Sequence, residues 1–319
     1  MRLFITGGAG FIGSHFAKMA LREHKEDRVV IFDKLTYAGN LDNLRDLAGD
    51  PRYTFAKGDI CDFSAVEKSA KGCDYIVNFA AETHVDRSIQ SAGEFVRTDV
   101  LGMHALLEYS RKTETPMLHI STDEVYGSIK SGSFTEESPF QPNSPYSASK
   151  AGGELLVRAY EKTYGLKTKV TRSSNNYGPN QHPEKLIPNF ITRLIMKKKV
   201  PLYGKGQNVR DWIHVLDNCA GIDAVLRKGK PGEAYNLGGG SERSNIDITR
   251  TLLKLFGRGE DWIEYVTDRP GHDFRYSLGC AKANALGWKP AIPFGEGLRS
   301  TVEWYRENEW WWKQLIPHP

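Results

Sequence analysis

Leu3-Phe4-Ile5-Thr6-Gly7-Gly8-Ala9-Gly10-Phe11-Ile12-Gly13 opens the chain with a short apolar run, a glycine-rich turn and the start of a helical pattern. The run Leu3 to Thr6 reads as a buried strand, and Phe11 to Glu23 carries apolar residues at helical spacing. Gly7, Gly10 and Gly13 stand at G-x-x-G-x-x-G, one residue longer than the best-known dinucleotide fingerprint. A glycine is needed where the chain turns sharply, where backbone approaches a pyrophosphate, and where helix packs on strand. The free N–H groups and partial positive charge at the start of the helix then suit a phosphate. Taken alone, the glycines also admit a tight turn that holds no ligand, the less favoured of the two readings. Asp33 shifts that balance, because it ends the next apolar run twenty positions past Gly13. A carboxylate there bonds both ribose hydroxyls and repels a 2′-phosphate, so the expected cofactor is NAD rather than NADP, with Lys34 partly offsetting the repulsion. Asp59 and Ile60 follow the third strand, where a side chain meets an adenine edge; Asp59 by itself also reads as a simple turn residue.

Working outward, strand-like and helix-like stretches alternate. Arg28–Phe32, Tyr53–Lys57, Tyr75–Phe79, Met117–Ser121 and Lys167–Arg172 read as buried strands. Phe63–Ala70, Glu94–Lys112 and a long segment from Pro145 to Tyr164 read as helices. Such alternation predicts an α/β fold: a Rossmann-type doubly wound parallel sheet with a smaller carboxy-terminal α/β substrate lobe. The expected division is 1–174 for the nucleotide half and 175–319 for the smaller lobe, with a return to the large lobe near 208–222. Proline and glycine become frequent after Asn175, which marks the change.

Composition narrows the function classes. A hydrophobic share of 39% and a charged share of 26% are ordinary globular usage and exclude a disordered chain. The net charge of +4 is mild, and the basic run Lys197–Lys199 is short enough to be a solvated helix end, so no nucleic-acid partner is expected. Cys61, Cys73, Cys219 and Cys280 are scattered, which predicts free thiols and no metal site. The first strand starts directly after Met1 and no apolar run reaches spanning length, so the expectation is a cytoplasmic protein with no membrane association.

Chemistry-bearing residues gather after the strands. Tyr146 and Lys150 lie four apart on one helix face, and an ammonium beside a phenol favours the phenolate, which would make Tyr146 a base toward a substrate hydroxyl. A surface aromatic–lysine pair is the competing reading. Asp123 and Glu124 adjoin at the end of the fifth strand, flanked by Thr122 and Tyr126. Neighbouring carboxylates in different environments can divide into acid and base; a solvated acidic turn is the plainer alternative.

Together the segments Gly7–Gly13 (GGAGFIG), Asp33–Leu41 (DKLTYAGNL), Ala80–Ser88 (AAETHVDRS), Ser121–Gly127 (STDEVYG), Tyr146–Ala151 (YSASKA), Ser174–Pro179 (SNNYGP), Glu184–Pro188 (EKLIP), Arg210–Trp212 (RDW) and Asp268–Asp273 (DRPGHD) resemble the extended short-chain dehydrogenase/reductase superfamily, and within it the nucleotide-sugar 4,6-dehydratases. The resemblance runs from Met1 to about Trp304. Its most specific part is Thr122-Asp123-Glu124, because related epimerases usually lack the acidic pair.

The resemblance implies a lyase reaction on dTDP-glucose. Tyr146 takes the 4-hydroxyl proton while hydride passes to NAD, Thr122 orients that hydroxyl, Glu124 removes the C5 proton, Asp123 protonates the departing C6 hydroxyl, and the hydride returns to C6. It further implies NAD contacts from Phe11, Ile12, Asp33, Lys34, Leu35, Thr36, Asp59, Ile60, Ala80, Ala81, Thr98, Tyr146, Lys150 and Asn176. Contacts to the sugar nucleotide are implied for Thr83, His84, Thr122, Asn175, Lys185, Leu186, Pro201, Tyr203, Arg210, Asn245, Arg269 and His272. A UDP- or GDP-sugar dehydratase or a 4-epimerase shares the fold, and a non-catalytic NAD-binding scaffold is the more distant alternative. The resemblance also implies a homodimer built on Glu94–Lys112 and Pro145–Tyr164. The chain departs from the pattern at Asp99, where Asn is expected, at Thr83 and Ser174, and in the short segment Gly127–Phe134. Trp310-Trp311-Trp312 is unusual for a free surface, and docking on the small lobe and docking on a partner both remain open.

Overall fold

The computed structural model describes residues 1–316. Twelve strands form in chain order: β1 (Arg2–Thr6), β2 (Arg28–Asp33), β3 (Tyr53–Lys57), β4 (Tyr75–Asn78), β5 (Met117–Thr122), β6 (Thr168–Ser173), β7 (Asn175–Tyr177), β8 (Val200–Tyr203), β9 (Val209–His214), β10 (Ala234–Leu237), β11 (Glu242–Ser244) and β12 (Ile263–Val266). Between and after them run the helices α1 (Phe11–Glu23), α2 (Phe63–Ala70), α3 (Val85–Gln90), α4 (Gly93–Val96), α5 (Met103–Thr113), α6 (Pro145–Tyr164), α7 (Leu186–Ile195), α8 (Val215–Lys228), α9 (Asn245–Leu255), α10 (Ala281–Ala285), α11 (Phe294–Glu307) and α12 (Glu309–Lys313).

The main sheet has seven strands in the order β10-β6-β5-β4-β1-β2-β3, and all its pairings are parallel. The fold is therefore the doubly wound α/β arrangement expected from the alternation. Parallel strands are joined by crossovers that carry helices, so both faces are covered. On one face Phe16, Ala20 and Leu21 of α1 pack with Val215, Cys219 and Ile222 against Ile5, Ile31 and Val77. On the other, Val66, Met103, Leu106, Leu107 and Val157 pack against Phe4, Val30 and Ile76. A third core holds the small lobe, where Ile187, Phe190 and Ile191 meet Ile248, Leu252, Leu298, Trp311 and Trp312.

Three details differ from the sequence expectation. The return to the large lobe does not use β9, which stays in a small three-stranded sheet with β7 and β11. It is made instead by α8, whose apolar face joins the α1 core, and by β10, the seventh strand of the main sheet. The single helix expected over 94–112 is a rod whose middle, Arg97–Gly102, is wound as π-helix. Such bulges re-aim side chains and concentrate near functional sites; here the bulge carries Thr98 and Asp99.

The strand order reverses its direction of growth at β1 and β4, which are neighbours. Open α/β sheets place their ligands in the crevice at this point, beyond the carboxyl ends of the strands. Gly7 marks it physically. Its φ is +65°, and a Cβ there would come within 2.5 Å of the Ala80 amide nitrogen at the end of β4.

Candidate active site

A single cleft of about 300 Å³ runs over the carboxyl ends of β1, β2, β4, β5 and β6. Its lining collects most of the residues singled out from the sequence. From the nucleotide set these are Gly7, Gly10, Phe11, Ile12, Gly13, Asp33, Lys34, Thr36, Asp59, Ile60, Ala80, Ala81, Thr98 and Asn176, and the catalytic and substrate sets add Thr83, Thr122, Asp123, Glu124, Tyr146, Lys150, Asn175 and Lys185.

The nucleotide end fits a dinucleotide. A Cβ at Gly13 would sit 2.4 Å from the Gly7 carbonyl oxygen, and one at Gly10 would sit 3.2 Å from it, so the turn is closed to larger residues. The Asp33 carboxylate is buried and pinned by two backbone donors, Ala9 N to Oδ2 and Leu35 N to Oδ1, at 2.9 and 2.8 Å. Lys34 does not offset its charge, because the ammonium pairs with Asp59 Oδ2 at 2.9 Å. Deeper in the cleft Asn176 Oδ1, Asn175 Oδ1 and Ser174 Oγ are buried without a partner in the protein. Unpaired buried acceptors and hydroxyls are costly unless a ligand completes them. Leu35 departs from expectation: it does not line the cleft. Its φ of 56° turns it inward, so its amide holds Asp33 while its side chain packs on the α1 core.

At the other end β5 delivers Thr122, and a short 3-10 turn, Asp123–Tyr126, follows it. The Thr122 hydroxyl accepts from the Glu124 amide and donates to Asp123 Oδ1, both at 3.3 Å. The two carboxyls meet different fields. Burial and the neighbouring carboxylates of Glu124 and Asp211 push the Asp123 carboxyl well above the usual range. Burial also raises Glu124, but the cations Arg269, Arg210 and Lys185 pull it back. Asp123 Oδ2 is buried and free of any protein partner.

Tyr146 and Lys150 open α6, whose capping box on Ser144 and Pro145 at its first turn fixes where the helix begins. Lys150 Nζ donates to the Ile120 carbonyl at 2.8 Å, and burial draws its pKa down. The phenol runs against expectation. Rather than being lowered by Lys150, the Tyr146 pKa is pushed well up, by burial first and then by Glu124 and Asp99, while the Thr122 hydroxyl draws it down. Burial and the two carboxylates together outweigh any favourable charge near the phenol.

Asp99 is one of them. It is buried, accepts from Ser149 Oγ at 2.6 Å through Oδ2, and leaves Oδ1 unpaired. Burial pushes its carboxyl up to about 6, against the pull of Lys150, Ser149 and the Glu82 backbone. Raised in the folded state, Asp99 lowers stability progressively as pH climbs from about 4 through about 6, and the loss is complete above that window. An Asp99→Asn variant keeps an acceptor for Ser149 and escapes this loss. Followed by denaturant melts at each pH, its unfolding free energy relative to the parent should rise across the window by up to about 3 kcal/mol and level off above it. A difference that stays flat from pH 4 to 7 would refute the assignment.

The remaining substrate-set residues lie around the small lobe rather than in the cleft lining. Tyr203 Oη donates to Asp86 Oδ2 at 3.1 Å, and Arg269 Nη1 reaches Asp86 Oδ1 at 3.3 Å. His272 Nδ1 bonds Asp268 at 2.6 Å, with its ring edge-on to Tyr203 at 6.4 Å. Arg210 lies over the Tyr276 ring at 4.2 Å and donates to the Asp273 carbonyl. The charges of Arg210 and Arg269 still reach Glu124, which ties this cluster to the catalytic end. Asn245 is buried at the start of α9 with Oδ1 unpaired. Leu186 packs on the small-lobe core, and Pro201 lies on β8. His84 precedes α3, and its Nδ1 has no partner.

Sequence reading passes over several lining residues: Tyr37, Asn43, Gln181, His182, Trp311 and Leu315. Tyr37 falls in the Asp33–Leu41 segment and Trp311 in the Trp310–Trp312 run; the others carry no signal. Among the described residues no helix is long and apolar enough to cross a membrane, and no cluster of three or more His, Cys, Asp or Glu could hold a metal ion.

A family model described as GDP-mannose 4,6 dehydratase matches residues 4–301. A dTDP-glucose 4,6-dehydratase of Streptomyces antibioticus is 51% identical over 326 residues, covering 100% of this chain and 96% of that protein. The crystal structure of DesIV, a dTDP-glucose 4,6-dehydratase from Streptomyces venezuelae with NAD and TYD bound, superposes with a TM-score of 0.97 at 51% identity, covering 99% of this chain and 100% of that one. That of a Bacillus anthracis dTDP-glucose 4,6-dehydratase in complex with NAD gives 0.93 at 48%, covering 99% and 100%. With the fold, the acidic pair and the Tyr146–Lys150 helix start already in place, these matches over nearly full length mean that the chain belongs to the family of the dTDP-glucose 4,6-dehydratases.

Proposed function

We propose that this protein converts dTDP-glucose to dTDP-4-keto-6-deoxyglucose and water as an NAD-dependent hydro-lyase. The observation that carries the reading is the unequal field on the acidic pair. Burial and two neighbouring carboxylates push Asp123 well up, which suits the acid, whereas three cations hold back the rise of Glu124, which suits the base. An elimination needs that division of labour: a base at C5 and an acid at the C6 oxygen. Plain 4-epimerisation needs neither, which disfavours the epimerase reading.

The cleft's glycine turn and Asp33 would hold the pyrophosphate and adenine ribose of NAD, and Tyr146 and Lys150 the ribose nearer the reacting end. When bound, NAD would supply the acceptor for the C4 hydride and its donor at C6. Tyr146 accepts the 4-hydroxyl proton, with Thr122 orienting that hydroxyl. The resulting 4-keto group acidifies C5–H. Glu124 takes that proton, Asp123 gives its own to the C6 oxygen, and water departs. Glu124 then returns a proton to C5 as C6 is reduced. Arg210, Arg269 and Lys185 are the cations suited to the diphosphate, with Tyr203 and His272 beside the base. In domain terms, residues 1–174, with α8 and β10, form the NAD half and the rest of 175–319 the nucleotide-sugar lobe.

Incubation of purified protein with dTDP-glucose should yield a product lighter by one water, with the alkaline absorbance of a 4-keto sugar. UDP- and GDP-glucose run alongside report base preference. A folded, NAD-loaded protein that leaves dTDP-glucose intact would sink the substrate assignment.

A homodimer is part of the same proposal. Val96, Leu101, Leu155 and Tyr164 are exposed on the π-wound rod and α6, the two helical segments available for a four-helix contact. A cytoplasmic location is proposed with it.

A further inference from the structure

The tryptophan run is the sequence feature that the proposed mechanism leaves unused. Trp310 is exposed, whereas Trp311 and Trp312 are essentially fully buried. Trp312 anchors α12 to the small lobe, with Nε1 donating to the Tyr305 carbonyl at 2.7 Å. Trp311 also packs there, 5.2 Å from the Trp304 ring, yet it lines the nucleotide cleft together with Leu315.

Its indole makes a longer connection. Trp311 Nε1 donates to Asn43 Oδ1 at 2.9 Å, although the two are 268 positions apart. Asn43 Nδ2 in turn donates to the carbonyl of Ala9, inside the glycine turn, at 2.9 Å. The Ala9 amide donates to Asp33 Oδ2, also at 2.9 Å. One unbroken chain of hydrogen bonds thus runs from the last helix to the pyrophosphate turn and the ribose carboxylate. Asn43 and Ala9 are both buried, so water cannot readily replace either partner. Gln314 adds a contact to Asp42 at 3.1 Å, and Arg45 lies over the Trp310 ring at 5.6 Å. These contacts from α12 and the residue after it fall on Asp42, Asn43 and Arg45 of the large lobe.

We infer that Trp311 is a positioning residue of the cofactor site: by bracing the glycine turn through Asn43 and walling the cleft with its ring, the carboxy-terminal helix retains NAD between turnovers. The inference rests on the NAD reading of the cleft. It also answers a need of that chemistry. A cofactor that takes a hydride from C4 and returns it to C6 of the same sugar must not leave in between, so slow dissociation protects each turnover.

The test measures NAD rather than activity. Trp311→Phe keeps the aromatic wall and removes the N–H; Asn43→Leu cuts the same chain from the large lobe without touching the small-lobe core. NAD retained per chain after gel filtration, and NAD release on dilution into a chasing analogue, are followed for each variant and for the double variant. Each single variant should release NAD roughly tenfold faster, as expected for a buried partner left unpaired, with native circular dichroism. The double variant should be scarcely worse than either, because both remove one coupled interaction. Release within twofold of the parent in either folded variant overturns the inference, and so does full additivity. If Trp311→Phe fails to fold, Asn43→Leu decides alone. A parent protein that takes up no NAD would instead refute the NAD reading itself, so the two failures are distinguishable.

Discussion

An Asp123→Asn variant should lose dehydration by about 10²–10⁴-fold, the usual worth of a positioned general acid, while still oxidising C4. Asp123 is fully enclosed, and burial and the carboxylates of Glu124 and Asp211 push its carboxyl well above the usual range, the direction a general acid needs. The amide has nearly the same shape and still offers an oxygen to the Thr122 hydroxyl. It cannot give a proton to a departing C6 oxygen. A neutral amide in place of a neutral acid leaves the charge beside Glu124 unchanged, which should leave the base intact. The block therefore falls after C5 deprotonation. Quenched reactions should accumulate a 4-keto sugar nucleotide that still carries its C6 oxygen, two hydrogens lighter than substrate. In deuterated water that species should gain deuterium at C5. Normal water loss from this variant would remove Asp123 from the acid's role. Failure to form any 4-keto species would place the carboxyl in the oxidation step instead.

That acid–base division was only partly legible in the sequence. The pair itself is visible, and so is its place at a strand end, because β5 is a run of apolar and β-branched residues that stops at Thr122. Which carboxyl keeps its proton is not visible. It depends on Asp211, Arg210 and Arg269, brought from β9 and the Asp268–Asp273 loop by tertiary packing. The large lobe was readable for the same local reason. The helices 11–23, 63–70 and 145–164 carry strong periodicity and clear starts, and the strands between them are apolar. β10 was missed because Ala234–Leu237 is four residues long and contains Asn236, a polar residue that is buried only because its side chain pairs with Tyr126 Oη at 2.9 Å. The role of the tryptophan run was equally out of reach, since its partner Asn43 is in the other lobe. The direction of the Tyr146 shift is not visible in helix spacing either: burial dominates it, followed by Glu124 and by Asp99, which packing brings beside the phenol from distant parts of the chain.

A second large effect falls on one half of the reaction, because the phenol acts only at the 4-hydroxyl. Tyr146→Phe should lower turnover of dTDP-glucose by about 10²–10⁴-fold with KM little changed. The half-buried ring meets Phe95 edge-on at 6.3 Å, packing that phenylalanine preserves, so the loss should not come from unfolding. What disappears is the oxygen that accepts the 4-hydroxyl proton. The block should then be bypassed by starting later. Supplied with the 4-keto sugar nucleotide and reduced cofactor, the variant needs only Glu124 at C5 and Asp123 at the C6 oxygen, and it should form the 4-keto-6-deoxy product at close to the parent's rate. Turnover of dTDP-glucose within tenfold of the parent would exclude Tyr146 as the base. A bypass as slow as the forward reaction would show that the phenol serves the elimination as well. The elimination itself should keep an acid limb, slowing as pH falls and Glu124 takes up a proton, at a pH above the ordinary glutamate range because burial raises that carboxyl. Because the variant lacks the phenol and retains Glu124, that limb should survive in the bypass reaction, and Glu124→Gln should abolish the reaction.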